Sequence, residues 1–252
     1  MNIFIHTIIS LLIFSNIVYS NTYNMCDTCE INTLNKAFTI LSAGDTLSIE
    51  NGIYSGGQSY SNLKGEENNF IYFIGKSNTD VIIEGGNSAM QISDCEFLRF
   101  ENITFTKQKL NGVNVDDAGT YDSPTHHIQF YNCVFSDMQA TGNNDLLKLS
   151  GLEDFLIQKC HFKNGATGGS GIDMVGCHSG TITENIFENM GSNSIQNKGG
   201  TENIYITKNK FINGGARAIN IGGSTGLEYF RPLDAEFESA RIKVHSIIFI
   251  GS

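Results

Sequence analysis

The sequence predicts an all-β fold, a right-handed parallel β-helix solenoid with an N-terminal capping helix. Five similar segments end in a phenylalanine at spacings of 30, 27, 25 and 24 residues: Phe105, Phe135, Phe162, Phe187 and Phe211. Each segment alternates apolar and polar residues with a period of two, which is typical of strands, and glycine, asparagine and serine fill the joints. A strand-based repeat of this length indicates stacked coils, and parallel crossovers are right-handed in most cases.

Alignment of the repeats predicts which residues are vertical neighbours. Ile172 should stack with Ile195 and Ile219 at the strand spacing of about 4.8 Å. Two residues before the recurring phenylalanine stand Cys133, Cys160, Asn185 and Asn209. Stacked asparagine amides can donate and accept along such a column, although asparagine is also simply common in this chain. The two cysteines could form a disulfide, but we expect two small buried side chains.

The chain begins with a candidate secretion signal. Residues 1–20 contain an apolar run from Ile8 to Val18 and end in a small residue, Ser20, which fits a signal peptide. The front end has no lysine or arginine, and an uncleaved anchor is the alternative, but the run is short for a membrane span. We therefore expect a secreted protein, extracellular or periplasmic, with no transmembrane segment after cleavage.

The segment at 21–42 should precede and cap the solenoid, which occupies 43–252. Cys26 and Cys29 form a C-x-x-C pair, for which a local disulfide is a simpler reading than a zinc or redox site. Ile31, Leu34, Phe38 and Leu41 recur at helix spacing, and a short helix could cover the open end of the first coil. At the other end, the last coil stops on apolar strands, so we expect an incomplete C-terminus.

The entry to the solenoid carries a family resemblance. The stretch AGDTLSIENGIYSGG at 43–57 resembles the start of proteins in the pectate-lyase-like superfamily, in which a capping helix leads into such a sequence. The resemblance covers most of residues 31–252 and implies the fold rather than the reaction.

Two polar excursions interrupt the coils, and loops on one face of a solenoid often carry the binding groups. The first could bind calcium or be a solvated loop, and it holds Asp116, Asp117, Asp122, His126 and His127. The second, at 223–240, carries Arg231.

The outward side of the strands should carry the chemistry. One outward file contains Lys148, Asp173, Gln196 and Asn220, and the flanking files add Asp145, Lys198 and Arg217. Unlike charges this close can hold one another ionised. The alternative is a salt-bridged surface ladder that contributes little to stability.

A charged face across stacked strands suits an extended polymer, and secreted proteins of the superfamily that the chain resembles mostly act on acidic polysaccharides. Elimination from a uronate needs carboxylate neutralisation, a base and an acid. We predict that Lys198 and Arg217 are catalytic. Substrate binding is predicted for Lys148, Gln196, Asn220 and Arg231. Asp145 and Asp173 are predicted to hold calcium, which is the one cofactor expected. The net charge of −10 disfavours nucleic acid as a partner, and we expect a monomer.

A second resemblance bears on the lysine. SIQNKGGTENIY at 194–205 is similar to the strand of the chondroitinase B and alginate lyase family that bears the catalytic lysine, which implies that role for Lys198. Where that family has two calcium-binding glutamates, this chain has Gly191 and Asn193, and the family's arginine falls near Ile221. A polysaccharide lyase is thus the leading hypothesis. A glycoside hydrolase on the same fold and a non-catalytic glycan-binding or adhesive protein are the alternatives.

Overall fold

The computed structural model describes residues 20–223 and 225–251. All but Ser20 of the predicted signal peptide lies outside these residues, so that expectation stays a prediction. Across the part that is described, the chain forms a parallel β-solenoid whose coils contribute strands to three long sheets. This architecture confirms the predicted fold class.

Sheets A and B form two faces of the solenoid. Sheet A consists of Thr22–Met25, Thr46–Ile49, Ile71–Gly75, Glu96–Glu101, Thr125–Tyr131, Leu152–Glu153, Leu156–Gln158, Thr181–Thr183, Tyr205–Thr207 and Lys243–His245. Sheet B consists of Gly52–Ser55, Val81–Glu84, Thr104–Thr106, Val134–Ser136, His161–Lys163, Ile186–Glu188, Lys210–Ile212 and Ile248–Ile250.

Sheet C forms the third face and carries the candidate site. Its strands are Gln58–Ser61, Met90–Ser93, Val113–Asp116, Leu147–Ser150, Ser170–Val175, Asn193–Lys198 and Arg217–Ile221. The second excursion contains a short 3₁₀ helix, Leu227–Tyr229, and a small strand, Ser239–Ala240, that pairs with Thr201–Glu202. The second excursion therefore lies next to sheet C, at the carboxyl ends of its strands.

The predicted register is confirmed residue by residue. Ile172 pairs with Ile195, and Ile195 pairs with Ile219. On the next inward position, Met174 pairs with Asn197. Because strand side chains alternate between faces, this register fixes which residues of each coil face inward and which face outward.

The recurring phenylalanines form a stacked column in the core. The ring centroids of Phe135 and Phe162 lie 4.7 Å apart, and those of Phe162 and Phe187 lie 4.9 Å apart, with the rings nearly parallel. All three side chains are fully buried. Such offset aromatic contacts add to the stabilisation from apolar burial.

Left-handed residues at the corners explain why the joints are rich in asparagine. Asn164, Asn189 and Asn213 stand at the same corner of successive coils, and their φ angles are 52°, 52° and 48°. Asparagine tolerates this region better than most residues because its short side chain bonds locally. Asn213 donates to Asn189, and Asn189 donates to Asn164, so the corner also forms an amide column.

The second asparagine column is the one that the sequence predicts, and it is buried. Asn185 Oδ1 accepts from the Cys160 backbone N–H at 2.8 Å, and its Nδ2 donates to Ile157 O and Asn209 Oδ1. Cys133 and Cys160 are unpaired and buried, as expected. A disulfide joins Cys26 to Cys29, also as expected.

The helix before the solenoid is shorter than the residue spacing predicts. It runs Leu34–Phe38 rather than from Ile31 to Leu41, and Thr33 caps it by accepting from Lys36 N. Phe38 stacks on Tyr60 with ring centroids 3.7 Å apart. Its role as the cap of the solenoid stays a prediction.

Replacing Asn185 with alanine tests the buried column. The change leaves the buried Cys160 N–H without its partner and removes the donor to Ile157 O, so we expect a loss of about 3 kcal/mol in the free energy of unfolding. The matched control is Asn114→Ala, because Asn114 is half-buried and donates only to other side chains. Urea unfolding measures both, and equal losses would contradict a special role for the buried column.

Candidate functional site

A cavity of about 410 Å³ lies on the outward face of sheet C, beneath the second excursion. We call residues 225–240 of that excursion the strap. The residues that line the cavity are Asn143, Lys148, Ser150, Val175, Lys198, Thr225, Gly226, Tyr229 and Arg231. The sheet supplies one wall and the strap supplies the other.

The strand register brings the two lysines of the cavity together. Lys148 lies beside Asp173 on the neighbouring strand, and Lys198 lies beside Val175, two residues further along. Adjacent strands are about 4.8 Å apart, which is within the reach of a lysine side chain. Both ammonium groups therefore converge on the carboxylate between them.

Asp173 is the counter-charge that the two lysines share. Its side chain is 2% exposed, Lys148 Nζ contacts its Oδ2, and Lys198 Nζ lies 3.1 Å from its Oδ1. Taking a carboxylate out of water is unfavourable unless cations compensate for it. Removal of either lysine would thus leave a buried charge less well paired.

Arg231 brings a third cation to the cavity from the strap. Its Nε donates to Oδ2 of Asp117 at 3.0 Å, across 114 residues of sequence, and Asp117 is 2% exposed. Its backbone N donates to Gly199 O at 3.0 Å. At Gly176, a Cβ atom would lie 2.1 Å from Arg231 Cβ, so glycine is required there for the strap to dock.

Glu238 fastens the strap to the sheet. Its carboxylate accepts from Gly199 N at 2.7 Å, from Thr225 N at 2.8 Å and from Thr225 Oγ1 at 2.8 Å. Burial opposes ionisation, but these hydrogen bonds and the charge of Lys198 outweigh it, so the pKa of Glu238 is lowered. The strap is therefore held by an ionised carboxylate.

Asp145 lies behind Lys148, at the edge of the cluster. Its Oδ1 accepts from Ser170 N at 2.7 Å, and its Oδ2 lies 4.0 Å from Lys148 Nζ. Burial, together with the nearby Asp173 carboxylate, raises the pKa of Asp145 to about 6. This group changes its charge between mildly acidic and neutral pH.

Two predicted substrate-binding residues continue the sheet C face beyond Asp173. Gln196 pairs in register with Asp173, and Asn220 pairs with Gln196. Gln196 Oε1 accepts from Asn220 Nδ2 at 2.7 Å, and Gln196 Nε2 donates to Gly222 O. This part of the face is neutral and rich in amides.

Arg217 is not brought to the reaction centre that the sequence predicts for it. It pairs in register with Asn193 and donates to the Oδ1 atom of that residue. Asn193 is five residues before Lys198 on an extended strand, which places the two positions about 16 Å apart. Arg231, which was predicted only to bind substrate, is the arginine that lines the cavity with Lys198.

Asp145 and Asp173 do not fit a calcium ion in this arrangement. Both oxygens of Asp173 face lysine ammonium groups, and Ser170 N occupies one oxygen of Asp145. Calcium takes six to eight oxygen ligands, and within residues 20–223 and 225–251 no group of three His, Cys, Asp or Glu side chains could hold a metal ion. Calcium stays a prediction.

The cavity combines three cations with no carboxylate among its described lining residues. The whole chain, by contrast, has 26 acidic and 16 basic residues. Low-dielectric walls concentrate the field of such a cluster. Asp173 and Asp117 lie beneath the cavity and pair with these cations, so an anionic group in the cavity would share the cations with them.

The family of the chain follows from its repeats. The family described as right handed beta helix region matches residues 51–230. The chain belongs to this family. No curated protein matches the sequence of this β-helix. In the described part, no helix is long and apolar enough to cross a bilayer.

Solved structures with a similar fold include three enzymes. The β-helix superimposes on an alginate lyase from Paenibacillus sp. str. FPU-7 with a TM-score of 0.61 and 13% identity, over 92% of this chain and 98% of that one. A pectin methylesterase from Aspergillus niger superimposes with a TM-score of 0.47 and 10% identity, over 91% of this chain and 85% of that one. A lacto-N-biosidase from Eubacterium ramulus superimposes with a TM-score of 0.38 and 11% identity, over 90% of this chain and 68% of that one. At these identities the likeness shows the fold alone.

Sequence reasoning missed Tyr229 and the partnership of Arg231 with Asp117. Both depend on how the strap folds back over earlier coils, and no repeat pattern records that path. A usable signal was that the two polar excursions follow strands of the same sheet, so that they leave the solenoid on one side. Long loops on one face of a solenoid commonly meet over the binding surface.

Replacing Asp145 with asparagine tests its raised pKa. Between pH about 4 and 6 the folded protein binds more protons at Asp145 than the unfolded chain, so this residue makes stability fall as pH rises through that window. Asparagine still accepts from Ser170 N and does not titrate. The free energy of unfolding of the variant, compared with that of wild type, should therefore become more favourable by about 2 kcal/mol between pH 4 and pH 7.

Urea unfolding between pH 4 and pH 7 measures this change. The control is Asp80→Asn, which removes a carboxylate from an exposed turn. Parallel pH profiles for wild type and the Asp145 variant would contradict the assignment.

Proposed function

We propose that this β-helix cleaves an acidic polysaccharide by β-elimination at the sheet C cavity. The observation that carries the proposal is the convergence of Lys148, Lys198 and Arg231 on a cavity whose described lining residues include no carboxylate. A uronate carboxylate bound there would meet cationic donors on both walls. Neutralising that carboxylate acidifies the proton on the adjacent carbon, which is the first requirement of the reaction.

Lys198 is the residue proposed to take that proton. As an ammonium ion it has no lone pair, but Asp173 Oδ1 lies 3.1 Å from its Nζ and has no hydrogen bond of its own. Transfer of one ammonium proton to Asp173 leaves an amine facing the cavity, and the amine then accepts the substrate proton. Asp173 is thus a positioning residue and proton holder rather than a metal ligand in this scheme.

Lys148 and Arg231 are proposed to hold the uronate carboxylate, and Tyr229 to protonate the leaving oxygen. The Tyr229 side chain lines the cavity and is 60% exposed, so its hydroxyl is free to reach a bound sugar. Tyrosine serves as a general acid in enzymes. Gln196 and Asn220 would bind sugar hydroxyls beyond the reaction centre.

Hydrolysis is a weaker candidate for the same cavity. Glycoside hydrolases usually use two carboxyl groups that flank the scissile bond. Here Asp173 and Asp117 lie beneath the cavity and are paired with Lys198 and Arg231. Non-catalytic binding of a glycan remains the second candidate, because the same cations would bind an acidic polymer without cleaving it.

The context of the site supports an acidic polysaccharide as substrate. The sequence of the Lys198 strand is similar to the lysine-bearing strand of a lyase family, and the solved protein with a TM-score of 0.61 is itself an alginate lyase. Secretion through the signal peptide at 1–20 is part of the proposal, since extended polysaccharides of this kind lie outside cells. The protein is proposed to act as a monomer.

Replacing Lys198 with alanine tests the proposed reaction. Wild-type protein incubated with alginate, pectate or unsulfated chondroitin should release unsaturated products that absorb in the ultraviolet. The variant should lose at least about a thousandfold of this activity, within the range of a general acid–base residue. Lys76→Ala is the matched control, because Lys76 is an exposed lysine in a 3.5 Å ion pair with Glu50. Retained activity in the Lys198 variant would remove that residue from the mechanism.

The same assay separates the competing functions. Reducing ends without ultraviolet absorbance would indicate hydrolysis, and binding without either product would indicate a glycan-binding protein. Addition of a chelator tests the calcium prediction. The cavity suggests that activity will persist, because lysine ammonium groups occupy both oxygens of Asp173.

A further inference from the structure

A second cavity, of about 540 Å³, lies against the later half of the strap. It shares none of its described lining residues with the sheet C cavity, and its volume is within the range of small-molecule sites, about 300–1,000 Å³. We call it the acidic cavity, because four carboxylates line it and the one arginine of its lining is Arg241. The four carboxylates belong to Glu153, Glu202, Asp234 and Glu236.

One wall of the acidic cavity is a column of residues from three successive coils. His178 pairs in register with Glu153 on one side and with Glu202 on the other, so an imidazole lies between two carboxylates at the strand spacing of about 4.8 Å. The strap docks closely beside this column, since a Cβ atom at Gly200 would lie 2.4 Å from Arg231 O. The cavity is therefore held between two elements in fixed contact.

His178 presents an unpartnered nitrogen to the acidic cavity. The residue is 9% exposed, and its Nε2 lies 3.2 Å from Gly200 O and 3.2 Å from Arg231 O. Because carbonyl oxygens only accept, Nε2 carries the proton, and Nδ1 of the neutral ring is an acceptor. No hydrogen bond from a described residue reaches Nδ1, and Glu153 Oε1, 3.6 Å away, also only accepts. Two acceptors this close suit a ligand that donates to both.

The charges of the acidic cavity favour a cation. Arg241 pairs with Glu202. Within the described part of the chain, no lysine or arginine forms an ion pair with Glu153, Asp234 or Glu236. A cleft lined by one sign of charge attracts ligands of the other sign. These three carboxylates therefore make a cationic ligand the best electrostatic match.

Arg241 shows what kind of cation this lining accommodates. Its guanidinium pairs with Glu202 and lies over the ring of Phe237, with Cζ 5.9 Å from the ring centroid. An apolar stem that ends in a cation thus already packs against the cavity. Tyr121 also lines the cavity and is 40% exposed, so it offers a second ring for a cation–π contact. An alkylammonium ligand would repeat the chemistry of the arginine side chain.

We propose that the acidic cavity binds a small aliphatic polyamine, a ligand with at least two ammonium groups on an apolar chain. One ammonium donates to His178 Nδ1 and to Glu153, which its three N–H donors allow. Another lies among the strap carboxylates, Asp234 and Glu236. A metal ion is a poorer match, because across the described residues no group of three His, Cys, Asp or Glu side chains could hold one. The proposal concerns a separate site and does not depend on the proposed β-elimination.

Titration calorimetry of the full chain with spermidine at low ionic strength tests the site, and one molecule should bind per chain. Glu153→Gln should weaken binding at least about tenfold, because it removes a charge and its amide can donate to His178 Nδ1 in place of the ligand. His178 stays unchanged in this test, since its Nε2 holds the strap. Glu67→Gln is the matched control, because it removes the same charge from an exposed turn outside the cavity and should leave the affinity unchanged.

A comparison of amines tests the second ammonium contact. Butylamine carries one ammonium group and should bind at least about tenfold more weakly than spermidine. The double variant Asp234→Asn, Glu236→Gln should weaken the binding of spermidine and leave that of butylamine almost unchanged. Both positions are exposed on the strap, and thermal denaturation checks that each variant is folded.

The remaining outcomes would overturn the proposal. Wild type that does not bind spermidine would do so directly. Equal affinities in wild type and the Glu153 variant would show general attraction to an acidic chain, and a stronger effect of Glu67→Gln would show the same. Tighter binding of a trilysine peptide than of spermidine would indicate a protein partner instead of a small amine. None of these outcomes changes the test of β-elimination, which measures activity at the sheet C cavity.

Discussion

In-register stacking of parallel strands is the constraint on which the rest of this structure depends. Each coil hydrogen-bonds to the coils above and below, so a residue's neighbour in space lies about one coil away in sequence. The phenylalanine column, the buried asparagine column and the left-handed corners all repeat at this interval. A shift of one residue in any strand would turn its apolar side chains outward.

The same register creates the site. Lys148 and Asp173 come from adjacent strands, and Lys198 reaches back from the next one. No pair of these residues is close in sequence, yet their charges meet because three strands present them on one face. Burial of Asp173 beneath two lysines makes the cluster interdependent, since each charge lowers the cost of holding the others out of water.

Much of the fold could be predicted from the sequence because it is periodic. The stacking of Ile172, Ile195 and Ile219, the buried asparagines and the unpaired cysteines all follow from the repeat. The cluster of Lys148, Asp173 and Lys198 was also foreseeable from strand alternation. The helix was overestimated, because helix spacing at Ile31 and Leu41 does not exclude other backbone conformations.

The path of the strap could not be predicted from the repeats. Residues 225–240 follow no repeat, so their path is set by tertiary contacts such as Glu238 with Gly199 and Arg231 with Asp117. Arg217 lies away from the cavity for a different reason. Sequence placed it on the correct face, but position along the strand separates it from Lys198, and the arginine of the cavity comes from the strap instead.

The contact between Arg231 and Asp117 also limits how the molecule can change over evolution. Repeat proteins commonly gain or lose whole units, because each unit touches only its neighbours. Here one side chain bridges several units, and inserting a single unit between its ends would displace Asp117 by about 4.8 Å, beyond hydrogen-bond reach. The contact therefore fixes the number of coils between Asp117 and Arg231, whereas it places no such limit on the coils before Asp117.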